Sequence, residues 1–172
     1  MEKEKTLLNA TLCLLVEDGK VLLALKTQKI GKGCWNGYGG GIRKREKPRK
    51  AAVRELEEEA RVIADPEHIE KVAVIDFHNN KSDGSFFICR MHVYIVRQWW
   101  GGDPKETKTM IKPAWFDIDH LPLEEMMPAD KIWLQIVLKG KKIIAVAEYG
   151  PFQKTLLSME LEVKENDFIF DD

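Results

Sequence analysis

Apolar and β-branched residues dominate positions 6–16, "TLLNATLCLLV", and "EDG" follows as a turn. "KVLLALK" then reads as the returning strand of a hairpin. The next stretch, "TQKIGKGCWNGYGGGI", has no strand or helix period and reads as a loop. Residues 48–60 favour helix, with Pro48 suited to a first turn that needs no N–H. Alternating apolar runs at 69–78 and 85–97 predict two more strands around the turn "NNKSDGS", and "PAWFDI" is a short strand. "MMPADKIWLQIVLKG" predicts a second helix with Pro128 near its start and Gly140 after its end. "KIIAVAEYG" and "TLLSMELEV" close the chain as a hairpin. Strands lead and helices come singly, so the expected fold class is α+β: a mixed sheet sandwiched between helices, in one domain spanning 1–172.

Composition narrows the function more than the fold. The chain is 44% hydrophobic and 32% charged, with a formal net charge of −1. A near-neutral chain lacks the basic face that a nucleic-acid polymer requires. Three cysteines without a C-x-x-C spacing argue against a disulfide framework or a zinc site and suit a reducing cytoplasm. No apolar run is long enough to span a bilayer, so no membrane partner is expected. The expected assembly is a monomer or weak dimer.

Two local features stand out. Residues 31 to 41 hold six of the twelve glycines, which implies a backbone pressed close to something. The following helix carries "RELEEEARV", four glutamates in five positions, although like charges three and four apart repel by roughly 0.2–0.5 kcal/mol per pair. At ~100° per residue, Ala52, Val53, Leu56 and Ala60 share one arc facing the core. Glu55, Glu58 and Glu59 share the neighbouring arc, and Glu57 points toward Lys50, Arg54 and Arg61. The trio is either a solvated charged face or a set of hard oxygen ligands for Mg²⁺ or Mn²⁺.

The stretch Gly40 to Val62 resembles the signature of the MutT/Nudix pyrophosphohydrolases, G-x5-E-x7-R-E-U-x-E-E-x-G-U, where U is aliphatic. Gly40, Glu46, Arg54, Glu55, Leu56, Glu58, Glu59 and Val62 fall on the pattern, and Arg61 replaces its final glycine. The resemblance implies Mg²⁺ (Mn²⁺ in its place) held by Glu55, Glu58, Glu59 and the carbonyl of Gly40. It implies Glu59 as the base that takes a proton from water, Arg54 orienting a glutamate, and Glu46 anchoring the loop.

"WNGYGG" and "MMPADKIWL" are similar to the branch that hydrolyses oxidised purine nucleoside triphosphates such as 8-oxo-dGTP. That likeness implies a base pocket lined by Thr11, Lys26, Asn36, Met127, Asp130 and Trp133. It also implies hydrolysis to a nucleoside monophosphate and pyrophosphate, a reaction that cleanses the nucleotide pool. This chain departs from the branch at Ala129, where an aspartate precedes Asp130, at Met127, where a tryptophan stacks on the base, and at "ETKTM", which leaves only Glu106 as a further acid. For Asn36 the structural alternative is capping the glycine loop, and for Asp130 a position at a helix N-terminus. At the level of function the alternatives are a Nudix hydrolase for another nucleoside diphosphate derivative and a catalytically silent nucleotide-binding module.

Overall fold

A computed structural model describes residues 3–165. Nine strands and two α-helices follow in the order β1 (Asn9–Glu17), β2 (Lys20–Lys26), β3 (Trp35–Asn36), β4 (Tyr38–Gly41), α1 (Pro48–Ala60), β5 (Glu70–Asn80), β6 (Phe86–Val96), β7 (Met110–Asp117), α2 (Asp130–Leu138), β8 (Lys142–Tyr149) and β9 (Leu156–Lys164). The strands form one mixed sheet in the order β3-β2-β1-β6-β5-β8-β9, with β4 paired to β1 and β7 to β2. The β1–β6 and β5–β8 pairs are parallel and the others antiparallel.

Period-2 alternation sorts the strands' apolar residues onto two faces. Leu12, Leu14, Val21, Leu23, Val93 and Ile95 pack with Trp133, Leu134 and Val137 of α2. Cys13, Leu15, Leu22, Ala24, Tyr94 and Val96 pack with Ala52, Leu56 and Ala60 of α1. The expected sandwich is therefore present, and α1 buries Ala52, Leu56 and Ala60 of the arc predicted for it, with Ala51 added and Val53 only partly covered.

Two elements differ from expectation. The glycine-rich stretch contains two short strands, β3 and β4; glycines carry no apolar alternation, so the pattern of side chains hid them. The second helix begins at Asp130, not at Met126, because the ring of Pro128 and the extended Met126 keep the preceding backbone out of the helix.

The placement of β4 sets the site. The first half of β1 pairs with β4, Ala10 opposite Gly41 through Cys13 opposite Tyr38. The second half pairs with β2, Leu15 opposite Leu22 through Glu17 opposite Lys20. Here β1 changes neighbours midway, and β2 splays from it. Gly39 lies so close to β1 that a Cβ there would sit 1.9 Å from the Thr11 carbonyl oxygen, which no side chain tolerates.

Candidate active site

Helix α1 starts directly after β4 and its connecting turn, so its acidic arc runs alongside the glycine strand. A Cβ on Gly40 would come within 2.6 Å of the Glu55 carboxyl, so this position must be glycine for that carboxylate to lie against the backbone. Glu59 accepts a hydrogen bond from the Gly39 N–H at 3.1 Å. Burial pushes its carboxyl up to about 7, against the opposing pull of the Gly39 amide and of Lys26.

Arg54 holds the rest of the arc. Its Nε and Nη2 donate to the two oxygens of Glu46 at 2.7 and 2.8 Å. Its Nη2 also donates to the Gly41 carbonyl at 3.0 Å, and its Nη1 to Glu55 at 2.7 Å. The paired bonds from Arg54 hold the Glu46 carboxyl down at about 2. Glu46 in turn accepts the Arg43 N–H, which closes the turn between β4 and α1. Glu58 is more exposed and touches Arg43 and Arg54 only at 3.4 Å. Glu57 is exposed, as expected, but Arg54 turns away from it toward Glu46.

Among the described residues, no three Asp, Glu, His or Cys side chains stand gathered at metal-binding spacing. The expected convergence of Glu55, Glu58 and Glu59 is thus incomplete. Glu55 leans on Arg54, Glu59 on Gly39, and Glu58 reaches outward. The donors nevertheless fit a hard dication in kind. They are carboxylate oxygens on one helix arc, and Gly40 opens its backbone directly onto one of them. Glu106 accepts the Lys112 N–H at 2.8 Å instead of turning to this arc.

A cavity of about 130 Å³ opens on the other side of β4, against the roughly 10–15 Å³ that one water needs. Thr11, Lys26, Asn36, Met127 and Asp130 line it, together with Gly39 and Gly40. Five of the six residues expected at a base pocket thus meet around one space, although they come from four separate segments. Among the described residues the buried Thr11 hydroxyl has no hydrogen-bond partner, and the half-buried Asn36 amide lines the same space. Buried polar groups left this way are suited to a ligand. Burial lowers the Lys26 ammonium from its usual range, with Glu59 opposing. Asp130 is buried and its carboxyl is pushed up to about 7, mainly by desolvation.

Trp133 is the exception. It is 0% exposed, lies in the core under α2 and does not line the cavity. Its Nε1 donates to Asp130 Oδ1 at 3.0 Å, so it positions the aspartate one helical turn away. Asp130 itself opens α2 and lines the cavity. Sequence reading missed Phe77, Asn79, Cys89, Met91 and Tyr149, which complete the lining from β5, β6 and β8. The one local sign of them is an aromatic hydroxyl, Tyr149, at the end of a largely apolar strand before Gly150.

Comparison with known proteins identifies the family. A profile of the NUDIX domain matches residues 5–135. The oxidized purine nucleoside triphosphate hydrolase of Danio rerio is 34% identical over 139 residues, covering 81% of this chain and 85% of its own. The protein of that name from Mus musculus is 33% identical over 151 residues, covering 88% and 92%. The crystal structure of a MutT protein from Bacillus halodurans superposes with a TM-score of 0.75 at 23% identity, covering 91% of this chain and 98% of that one. With its signature helix seated against the glycine strand and its profile match spanning most of the sequence, the chain belongs to the Nudix family and is a Nudix pyrophosphohydrolase.

Proposed function

We propose that the chain hydrolyses oxidised purine nucleoside triphosphates, of which 8-oxo-dGTP is the representative, to the nucleoside monophosphate and pyrophosphate. The observation that carries this reading is the single strip of backbone, Gly39–Gly40, that borders the cavity on one side and the carboxylates of Glu55 and Glu59 on the other. A base in the cavity sets its phosphates beside the acidic arc. The two vertebrate relatives bear the name of this activity.

Asn36 offers a donor and an acceptor to the base, Asp130 an acceptor or, when protonated, a donor, and Met127 a polarizable surface. Glu55, Glu58, Glu59 and the Gly40 carbonyl would hold Mg²⁺, with Mn²⁺ as its substitute. The ion neutralises phosphate charge and acidifies water. Glu59 stands at the inner end of the arc beside Gly39 and takes the proton as the water oxygen bonds to phosphorus and the bridging P–O bond breaks. Arg54 fixes the Glu55 carboxylate and does not reach the substrate, because its remaining donors are committed to Glu46 and Gly41.

The test is a panel of normal and oxidised nucleoside triphosphates, dinucleoside polyphosphates and nucleotide sugars, each with Mg²⁺, with pyrophosphate and phosphate release as the readout. Preferred turnover of 8-oxo-dGTP with pyrophosphate as product supports the reading. Preference for a nucleotide sugar replaces the substrate class, and no turnover of any compound returns the chain to a binding role.

A further inference from the structure

Tyr149 closes β8 with its side chain 2% exposed, and its ring stacks on Phe77 at a centroid distance of 5.8 Å and 20° between planes. Both rings line the cavity beside Asp130. The Ala129 N–H donates to the Tyr149 hydroxyl oxygen at 2.8 Å. Conjugation keeps a phenolic O–H in the plane of its ring, which leaves it two orientations. The one pointing at the Ala129 N–H sets two donors against each other, so the proton takes the other. Among the described residues the hydroxyl donates no hydrogen bond of its own, and Asp130 and Cys34 are the ionisable groups that act on it through space.

The tyrosine that has taken up the Ala129 peptide can only donate. We propose that the Tyr149 hydroxyl is a fixed hydrogen-bond donor to the substrate base, and that it biases this chain toward purines with an oxygen at position 6 over purines with an amino group there. The inference rests on the proposed reading of the cavity as a base pocket.

A 6-oxo group accepts the waiting O–H. A 6-amino group presents N–H to O–H, and relief requires the hydroxyl to turn and give up the Ala129 N–H. Either way one buried donor is left unpaired, which weakens binding by about tenfold or more. Asp130 does not supply this bias. Its carboxyl is pushed up to about 7, so near neutral pH it exists in both forms and suits either edge.

Deoxyinosine and deoxyadenosine triphosphates differ in the group at position 6 and the N1 proton that goes with it, and neither is oxidised. The wild-type protein is expected to favour dITP by about tenfold or more in kcat/KM. Tyr149→Phe is expected to lose that preference by a rise in KM for dITP, with kcat and the dATP constants little changed. Asp130→Asn is expected to keep it. Equal constants in the wild type, a preference that survives Tyr149→Phe, or one that vanishes in Asp130→Asn overturns the assignment. Calorimetric binding of dIMP and dAMP to the wild type needs neither turnover nor a folded variant, and equal affinities there also overturn it. Absence of triphosphate hydrolysis together with preferred dIMP binding would sink the proposed reaction and leave this inference standing.

Discussion

The acidic arc of α1 and the cavity beside α2 solve opposite problems. The arc holds too many like charges, and it quiets them internally: Arg54 bonds Glu46 and Glu55 and approaches Glu58. The cavity holds too few partners, so the Thr11 hydroxyl is left unmatched among the described residues and Asp130 carries a carboxyl out of water. The first end draws its residues from one helix and one adjoining strand. The second gathers them from strands far apart in the chain. A charge cluster can be built locally, because the helix repeat places i, i+3 and i+4 together. A shaped space cannot.

The sharpest way to break the comparison is to remove chemistry at the arc without touching its structure. Glu59→Gln keeps an oxygen for the Gly39 N–H and loses the basic group; kcat is expected to fall by about 10²–10⁴ while the melting temperature holds. An unchanged kcat would remove Glu59 from its role. Structure at the arc is tested by Arg54→Ala, which strands Glu46 and Glu55 in a partly buried setting. A loss of about 2–4 kcal/mol in denaturant unfolding is expected, and Arg54→Lys should recover little of it, since an ammonium cannot bridge both oxygens of Glu46.

The cavity end is tested by pH. The Asp130 carboxyl titrates near 7 when folded and near its ordinary value of 3.8 when unfolded. Between those values the folded chain binds the extra proton, so stability falls as pH rises through the interval. Asp130→Asn keeps the acceptor for Trp133 and lacks the titration. Its stability relative to wild type should therefore rise by about 2 kcal/mol from pH 5 to pH 7, at about 1.4 kcal/mol per unit when the full effect applies. A flat difference across that range would mean that Asp130 is charged throughout. A smaller effect belongs to Arg61, which ends α1 at φ 59, the left-handed conformation in which glycine suffers no Cβ clash. Arg61→Gly should add about 0.5–1 kcal/mol, and the exposed Glu57→Ala should change stability by less than about 0.5 kcal/mol.

What could be read in advance follows the same division. The arc, its core-facing side and the nine-residue β1 are periodic features, visible in the order of residues. The departure at Arg61 was visible too, and the structure shows that arginine simply adopts the backbone the family's glycine would take. Strands β3 and β4 were hidden because pairing there is set by bare backbone, with Gly39 and Gly40 chosen for closeness and not for burial. Trp133 lies in the core, where a tryptophan in an apolar helix is more often found than at a ligand, and it meets the site only through its hydrogen bond to Asp130. Tyr149 was invisible as a site residue because its partner, the Ala129 peptide, lies 20 residues away and leaves no mark in the sequence pattern.

The guanidinium of Arg54 has one more effect, on the order of events in the life of the protein. An acid-rich helix that relied on a dication for its counter-charge could not settle until the ion arrived. Here the counter-charge is encoded six residues into the helix itself, counted from Pro48, and is in place as soon as the turn to Glu46 closes. The helix thereby carries its own counter-charge, and the melting temperature of the protein is expected to be the same before and after dialysis against a chelator.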